Sequence, residues 1–181
     1  ISCFGKCSLT VALPIISAMG VETVILPTAV LSTHTGEFKN FTFRDLSEDI
    51  EKIFKHWKEE NIEFDAVYTG YLGSFEQIDM MKNFVDKLPA GTPVFVDPAM
   101  ADNGKLYSGF TEEFAKHMAT LCAKADIIVP NLTEASFMLG IDYVESGYDK
   151  AYIEDILKKL AELGAKKTVL TGVSFETDKI G

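Results

Sequence analysis

Two short apolar runs, Val94-Phe95-Val96 and Ile127-Ile128-Val129, constrain the fold of this chain more than any other feature. The first runs into Asp97-Pro98-Ala99-Met100-Ala101-Asp102-Asn103-Gly104, the second into Pro130-Asn131-Leu132-Thr133-Glu134. A short β-branched run, closed by turn residues and separated from the next by a helical pattern, reads as a parallel strand buried on both faces. Its carboxyl end opens at the edge where open α/β sheets hold ligands. Two acids and an amide, Asp97, Glu134 and Asn131, stand at such ends. They can hold a hydrated Mg²⁺, which takes one or two carboxylates plus water and phosphate oxygens. The same residues also have a structural reading. Asp-Pro opens turns, and Asn131 with Glu134 three positions on is close to a capping box for the next helix.

The rest of the chain repeats this pattern. Strands are expected over residues 21–27, 64–72 and 165–171 besides the two central runs, and helical periodicity falls between them. Helices are expected over 8–19, 45–60, 75–88, 110–123 and 148–163, with another starting at Asn131 and ending near Gly140. Ser8 is available as the first cap and Thr111 as a later one, while Pro14 should kink or delay the first helix. Repeated βαβ units predict an α/β fold: a mostly parallel central sheet with helices on both faces, in three layers. No repeat, low-complexity segment or linker divides the sequence, so residues 1–181 are read as a single domain.

Composition excludes some function classes. With 17 basic and 27 acidic residues the net charge is −10, which disfavours binding to a nucleic-acid backbone. No apolar run is long enough to cross a bilayer, and no basic-then-apolar leader occurs, so a cytoplasmic protein is expected. Cys3, Cys7 and Cys122 cannot make a full disulfide framework, and Cys3-x-x-x-Cys7 lacks the partners of a zinc site. Structural thiols are the default. Gly5-Lys6 superficially suggests a phosphate-binding loop, but Cys7 stands where Ser or Thr is needed and the upstream glycine is missing.

Two further polar loops follow strand-like segments. Ser32-Thr33-His34-Thr35-Gly36 could line a small polar pocket or be an ordinary solvated loop. Tyr68-Thr69-Gly70-Tyr71-Leu72-Gly73-Ser74 lets the backbone approach a ligand, with Tyr71 able to cover a flat ring; alternatively it is a strand-to-helix turn capped by Ser74. His56 falls on a charged helix face and His117 has no partner nearby in sequence.

Taken together and in order, the segments 32–36, 68–73, 96–102 and 130–134 resemble those of the pyridoxal kinases within the ribokinase-like family, which also includes hydroxymethylpyrimidine kinases. The resemblance covers essentially the whole chain. It implies transfer of the γ-phosphoryl of ATP to the 5′-hydroxymethyl of pyridoxal, pyridoxine or pyridoxamine, with a non-catalytic B6-binding module as a further alternative. By position it implies that His34, Thr35 and Gly36 face the pyridine ring, that Tyr71 packs near it and that Cys7 lies at the pocket wall. ATP would meet Asp97, Asp102, Val129, Asn131, Glu134 and Thr171, with Asp97 and Glu134 at Mg²⁺. Val129 stands where relatives carry Thr, which weakens the expectation of a monovalent-cation ligand. Relatives are commonly homodimers.

The family also places a Gly-Thr-Gly-Asp turn later in its sequence, whose helix N-terminus stabilises the transferring phosphate and whose Asp is the base. No such turn occurs here, and the chain starts at Ile1 without Met. The expectation is a piece of a longer enzyme, trimmed at both ends, with the base beyond Gly181.

Overall fold

The computed structural model describes residues 1–35, 38–176 and 179. They belong to two compact units, Ile1–Glu63 and Phe64–Gly181. Among the described residues no helix is long and apolar enough to cross a membrane.

The first unit contains β1 (Ser2–Phe4), α1 (Leu9–Ala18), β2 (Ala29–Thr33), β3 (Phe43–Asp45) and α2 (Ser47–Glu59). β2 is its central strand, parallel to β1 through Ser2↔Leu31 and Phe4↔Thr33 and antiparallel to β3 through Ala29↔Asp45 and Leu31↔Phe43. The strand expected over 21–27 is therefore misplaced. Val21 and Val24 are exposed and pair with nothing in the ladder, whereas Ala29 and Leu31 are buried between two neighbours. Pairing, not local β-branching, decides which segment becomes the strand. Ser8 takes a positive φ and makes no side-chain cap, while α1 runs through Pro14 without a break. Asp45 accepts a hydrogen bond from the Ser47 backbone N–H at 2.7 Å and so starts α2.

The second unit runs β4 (Val67–Thr69), α3 (Phe75–Val85), β5 (Val94–Val96), β6 (Ala101–Asp102), β7 (Lys105–Leu106), α4 (Glu112–Cys122), β8 (Ile127–Ile128), α5 (Leu132–Leu139), α6 (Lys150–Glu162) and β9 (Lys167–Thr168). Its main sheet has the order β4-β5-β8-β9 and is parallel throughout. Thr69, Val96, Ile128 and Thr168 stand in one row across it. The α/β class and the strands near 67, 95, 128 and 169 are as expected. Helices α3 to α6 pack each on the next. Val94, Val96 and Ile128 are buried in the sheet, as are Ile78, Met118 and Leu121 on the helices. Phe95, Ile127 and Val129 on the opposite face are only half-buried, so the runs are core strands on one face and not, as expected, on both.

At the amino edge of this sheet Asp126 ties two strands together. Its Oδ2 accepts a hydrogen bond from the Val94 N–H at 2.8 Å, and its Oδ1 pairs with Lys166 at 2.5 Å. Lys166 first, then the Val94 amide, holds this carboxyl below the ordinary aspartate range. A depressed carboxyl contributes stability above its unfolded pKa and loses it as pH falls through the folded value. Asp126→Asn is therefore expected to cost about 1 kcal/mol at neutral pH. Urea melts should show the gap between variant and parent closing below about pH 4; a gap unchanged by acid would contradict the assignment.

Candidate functional site

The carboxyl edge of the β4-β5-β8-β9 sheet is built by three turns. After β5 the backbone continues the ladder for one residue, Asp97 N–H donating to Thr69 O at 2.9 Å, and Pro98 then ends it. After β8, Val129 N–H donates to Val96 O at 3.0 Å before Pro130 and the start of α5. After β9, Thr171 N–H donates to Pro130 O at 2.9 Å, and Thr171 bridges in parallel to Asn131. Because side chains alternate along strands, Asp97 points to the face opposite Val96.

The first turn of α5 is a complete capping box. Asn131 Oδ1 accepts from the Glu134 N–H at 2.8 Å, and Glu134 Oε2 accepts from the Asn131 N–H at 2.8 Å. The same turn also clamps the segment after β5. Glu134 Oε1 accepts from the Met100 N–H at 3.3 Å, Asn131 Nδ2 donates to Ala101 O at 2.9 Å, and Thr133 Oγ1 accepts from the Gly104 N–H at 3.0 Å. The clamped segment is the β6–β7 hairpin, turned by Asn103 and Gly104, both at positive φ as an Asn-Gly hairpin turn requires. A Cβ at Gly104 would lie 2.7 Å from the Tyr143 ring, so no larger residue fits that turn unless the ring moves. Asp102 stands exposed on this hairpin, its carboxylate accepting from the Asn103 N–H and Nδ2.

Asp97 and Glu134 are electrostatic neighbours: the Asp97 charge is among the causes that raise the Glu134 carboxyl. Burial is the largest of them and pushes Glu134 up to about 8, while amide donors from Asn131, Met100 and Ala101 pull the other way. Burial likewise raises Asp97, opposed by a hydrogen bond from Tyr68. Among the described residues no Lys, Arg or His forms an ion pair with either carboxylate. Two neighbouring acids with burial against them and no basic partner are a donor set that a cation would relieve. Among the described residues no group of three or more His, Cys, Asp or Glu could hold a metal ion. Two carboxylates suit Mg²⁺ completed by phosphate and water, and fall short of an all-protein cage.

The structure thus brings Asp97, Asp102, Val129, Asn131, Glu134 and Thr171 to one edge of the second unit. The Val129 N–H is already used in the sheet, which leaves only its carbonyl for a ligand. Tyr71 is in the same unit, half-buried, with its ring 5.6 Å from that of Phe110. Ser74 caps α3 through the Gln77 N–H, so the structural reading of that turn is also met. Cys7, His34 and Thr35 belong to the first unit, and Gly36 lies outside the described residues. There a Cβ on Gly5, at φ +98, would meet the His34 ring at 2.5 Å, so the loop after β1 is packed directly on that ring. Phe38 meets the same ring edge-on at 4.9 Å, and the Cys7 thiol donates to Ser2 Oγ at 3.3 Å. His117, read as partnerless in sequence, pairs with Asp79 Oδ1 at 3.0 Å. Burial pushes the Cys122 thiol up to about 12, consistent with a structural thiol.

Sequence reading passed over Tyr68, whose hydroxyl donates to Asp97 Oδ2 at 2.8 Å. The signal is the strand register. Tyr68 pairs with Phe95, two residues before Asp97, so all three share one face. It also passed over Thr133 as a clamp on the hairpin, for which the sequence offers no signal.

Residues 12–180 match the phosphomethylpyrimidine kinase family. A crystal structure of a Bacteroides thetaiotaomicron protein described as a candidate phosphomethylpyrimidine kinase, in a form with pyridoxal, is 39% identical. Its TM-score is 0.92, over 98% of this chain and 62% of that one. The crystal structure of pyridoxal kinase from Lactobacillus plantarum is 33% identical with a TM-score of 0.88, over 100% of this chain and 64% of that one. A pyridoxal kinase of Actinobacillus pleuropneumoniae is 31% identical over 173 residues, 89% of this chain and 58% of that protein. The chain therefore spans less than two thirds of the length of each of these relatives.

The clamp makes a stability prediction. Asn131→Ala removes the α5 cap and the bond to Ala101 together, and is expected to cost about 2 kcal/mol in denaturant melts. Thr171→Val, which loses one long, part-buried 3.3 Å bond on an exposed residue, should stay within about 0.5 kcal/mol. Equal effects would show that the capping box does not hold this edge together.

Proposed function

This chain belongs to the phosphomethylpyrimidine kinase family, and on that premise we propose that it is part of an ATP-dependent kinase acting on the 5′-hydroxymethyl group of a B6 vitamer. The observation that carries the proposal is the neighbouring Asp97 and Glu134 at a parallel-sheet carboxyl edge, unpaired with any base among the described residues. The choice of a pyridine alcohol rests on the pyridoxal kinases to which the chain is similar and on the pyridoxal form of the Bacteroides structure.

In this reading Asp97 and Glu134 are the residues that would hold Mg²⁺, with Asn131 fixing Glu134 through the capping box. The ion, when bound, would neutralise charge on the nucleotide phosphates. Asp102, exposed on the β6–β7 hairpin, is placed beside the phosphates, and Thr171 and the Val129 carbonyl contact the nucleotide. By resemblance His34, Thr35, Gly36 and Cys7 are assigned to the vitamer, and so is Tyr71. No residue of this chain is assigned as the base. Positioning and charge stabilisation supply most of the rate in phosphoryl transfer, so these residues matter through what they hold in place.

The family's own description favours a second reading, a hydroxymethylpyrimidine kinase, because that substrate is also a six-membered nitrogen ring bearing a CH₂OH group. Specificity is a ratio of kcat/KM values, so the two alcohols are compared directly. In a coupled assay on the protein that contains this chain, pyridoxal should drive ADP release with kcat/KM at least about tenfold above hydroxymethylpyrimidine, a difference of about 1.4 kcal/mol. The reverse ratio would select the pyrimidine kinase. No alcohol-dependent ADP release, with pyridoxal still bound, would select a binding module. Asp97→Asn should raise the KM for Mg·ATP by about tenfold or more, since it removes one charge from the pair. The fold should survive this change, because the only side-chain bond Asp97 makes among the described residues is with Tyr68.

A further inference from the structure

Three carboxylates stand at the carboxyl edge of the second unit, and they are held in different ways. Glu134 is fixed by the backbone N–H groups of Asn131 and Met100, and Asp102 by the N–H and side-chain amide of Asn103. Asp97 has no such support. The next residue is Pro98, which has no N–H to offer. Among the described residues the one hydrogen bond to the Asp97 side chain comes from Tyr68 Oη, 2.8 Å from Oδ2, and none reaches Oδ1.

Packing alone does not account for where the Tyr68 hydroxyl is aimed. The residue is 48% exposed on β4, yet its hydroxyl is turned onto a carboxylate rather than to solvent. Register puts it opposite Phe95, on the face that also carries Asp97, so the phenol reaches the carboxylate across the strand pair. We propose that Tyr68 is a positioning residue for the cation side of the site, fixing the Asp97 carboxylate by one oxygen so that the other is presented toward the metal-bound nucleotide. This rests on the kinase reading given above. The phenol donates to Oδ2 and contributes no ligand of its own, which fixes a side chain that would otherwise rotate about χ1 and χ2. Immobilising one such side chain is worth between about 2-fold and 12-fold in affinity.

The test is carried out on the whole protein that contains this chain. Mn²⁺ with a non-hydrolysable ATP analogue is titrated into parent, Tyr68→Phe, Asp97→Ala and the double variant, and bound Mn²⁺ is read by electron paramagnetic resonance. Tyr68→Phe keeps the ring and should fold normally. The expected result is a 3- to 10-fold weaker binding of the metal–nucleotide complex in Tyr68→Phe. In the Asp97→Ala background, which removes the acceptor, the same change should have little further effect, because a residue acting through Asp97 has nothing left to act on. In steady-state assays the KM for Mg·ATP should rise while that for the vitamer stays put, a split that general loosening of the fold would not produce. If the parent binds the complex and Tyr68→Phe binds it equally well, the positioning role is wrong and the kinase reading stands. A loss of equal size in the Asp97→Ala background overturns the role too, since Tyr68 would then act by another route. If the parent shows no metal-dependent nucleotide binding, the kinase reading fails and takes this inference with it.

Discussion

The hydrogen bonds of Glu134 are the constraint on which the candidate edge of the second unit depends. One carboxylate closes the capping box of α5 through the Asn131 N–H and holds the segment after β5 through the Met100 N–H. One side chain, 3% exposed, therefore links the helix start to the segment that opens the β6–β7 hairpin, with Asn131 and Thr133 completing the clamp. An acid so deeply buried is costly unless its oxygens are satisfied, and here backbone amides satisfy them. Loss of either partner would leave a buried donor or acceptor open, which is usually worse than never having had the pair.

That arrangement removes the apparent choice between a structural and a functional Glu134. A carboxylate has about four lone-pair positions, and the amide donors from Asn131, Met100 and Ala101 leave room for a further contact. The structural work sets where the charge stands. Asp97 is brought beside it by the parallel pairing of β5 with β4 and β8, at the point where Pro98 ends the strand. Burial raises both carboxyls, and the Asp97 charge adds to the rise of Glu134. In our reading this electrostatic tension is what a magnesium–nucleotide complex relieves. The same tension would be pointless in an edge that only capped a helix.

Much of this was legible in the sequence because the physics is local. Val94-Phe95-Val96 and Ile127-Ile128-Val129 announce core strands by composition, and Asn131 with Glu134 announces its capping box by spacing. What stayed hidden depends on partners distant in sequence. Residues 21–27 look more like a strand than 29–33 until β1 and β3 are placed on either side of the latter. The β6–β7 hairpin has an Asn103-Gly104 turn, yet its strands of two residues are too short to show alternation. Tyr68 reaches Asp97 over 29 positions of sequence, and only the register of β4 against β5 shows the two on one face.

The most direct test of the central claim is an anomalous-diffraction map of the protein that contains this chain, crystallised with Mn²⁺ and a non-hydrolysable ATP analogue. The expected result is a manganese peak bridging the nucleotide phosphates and the Asp97–Glu134 pair, within about 5 Å of both carboxylates if one contact runs through water. A metal–nucleotide complex seated elsewhere, such as the amino edge near Asp126, with Asp97 and Glu134 facing only solvent and protein, would contradict it.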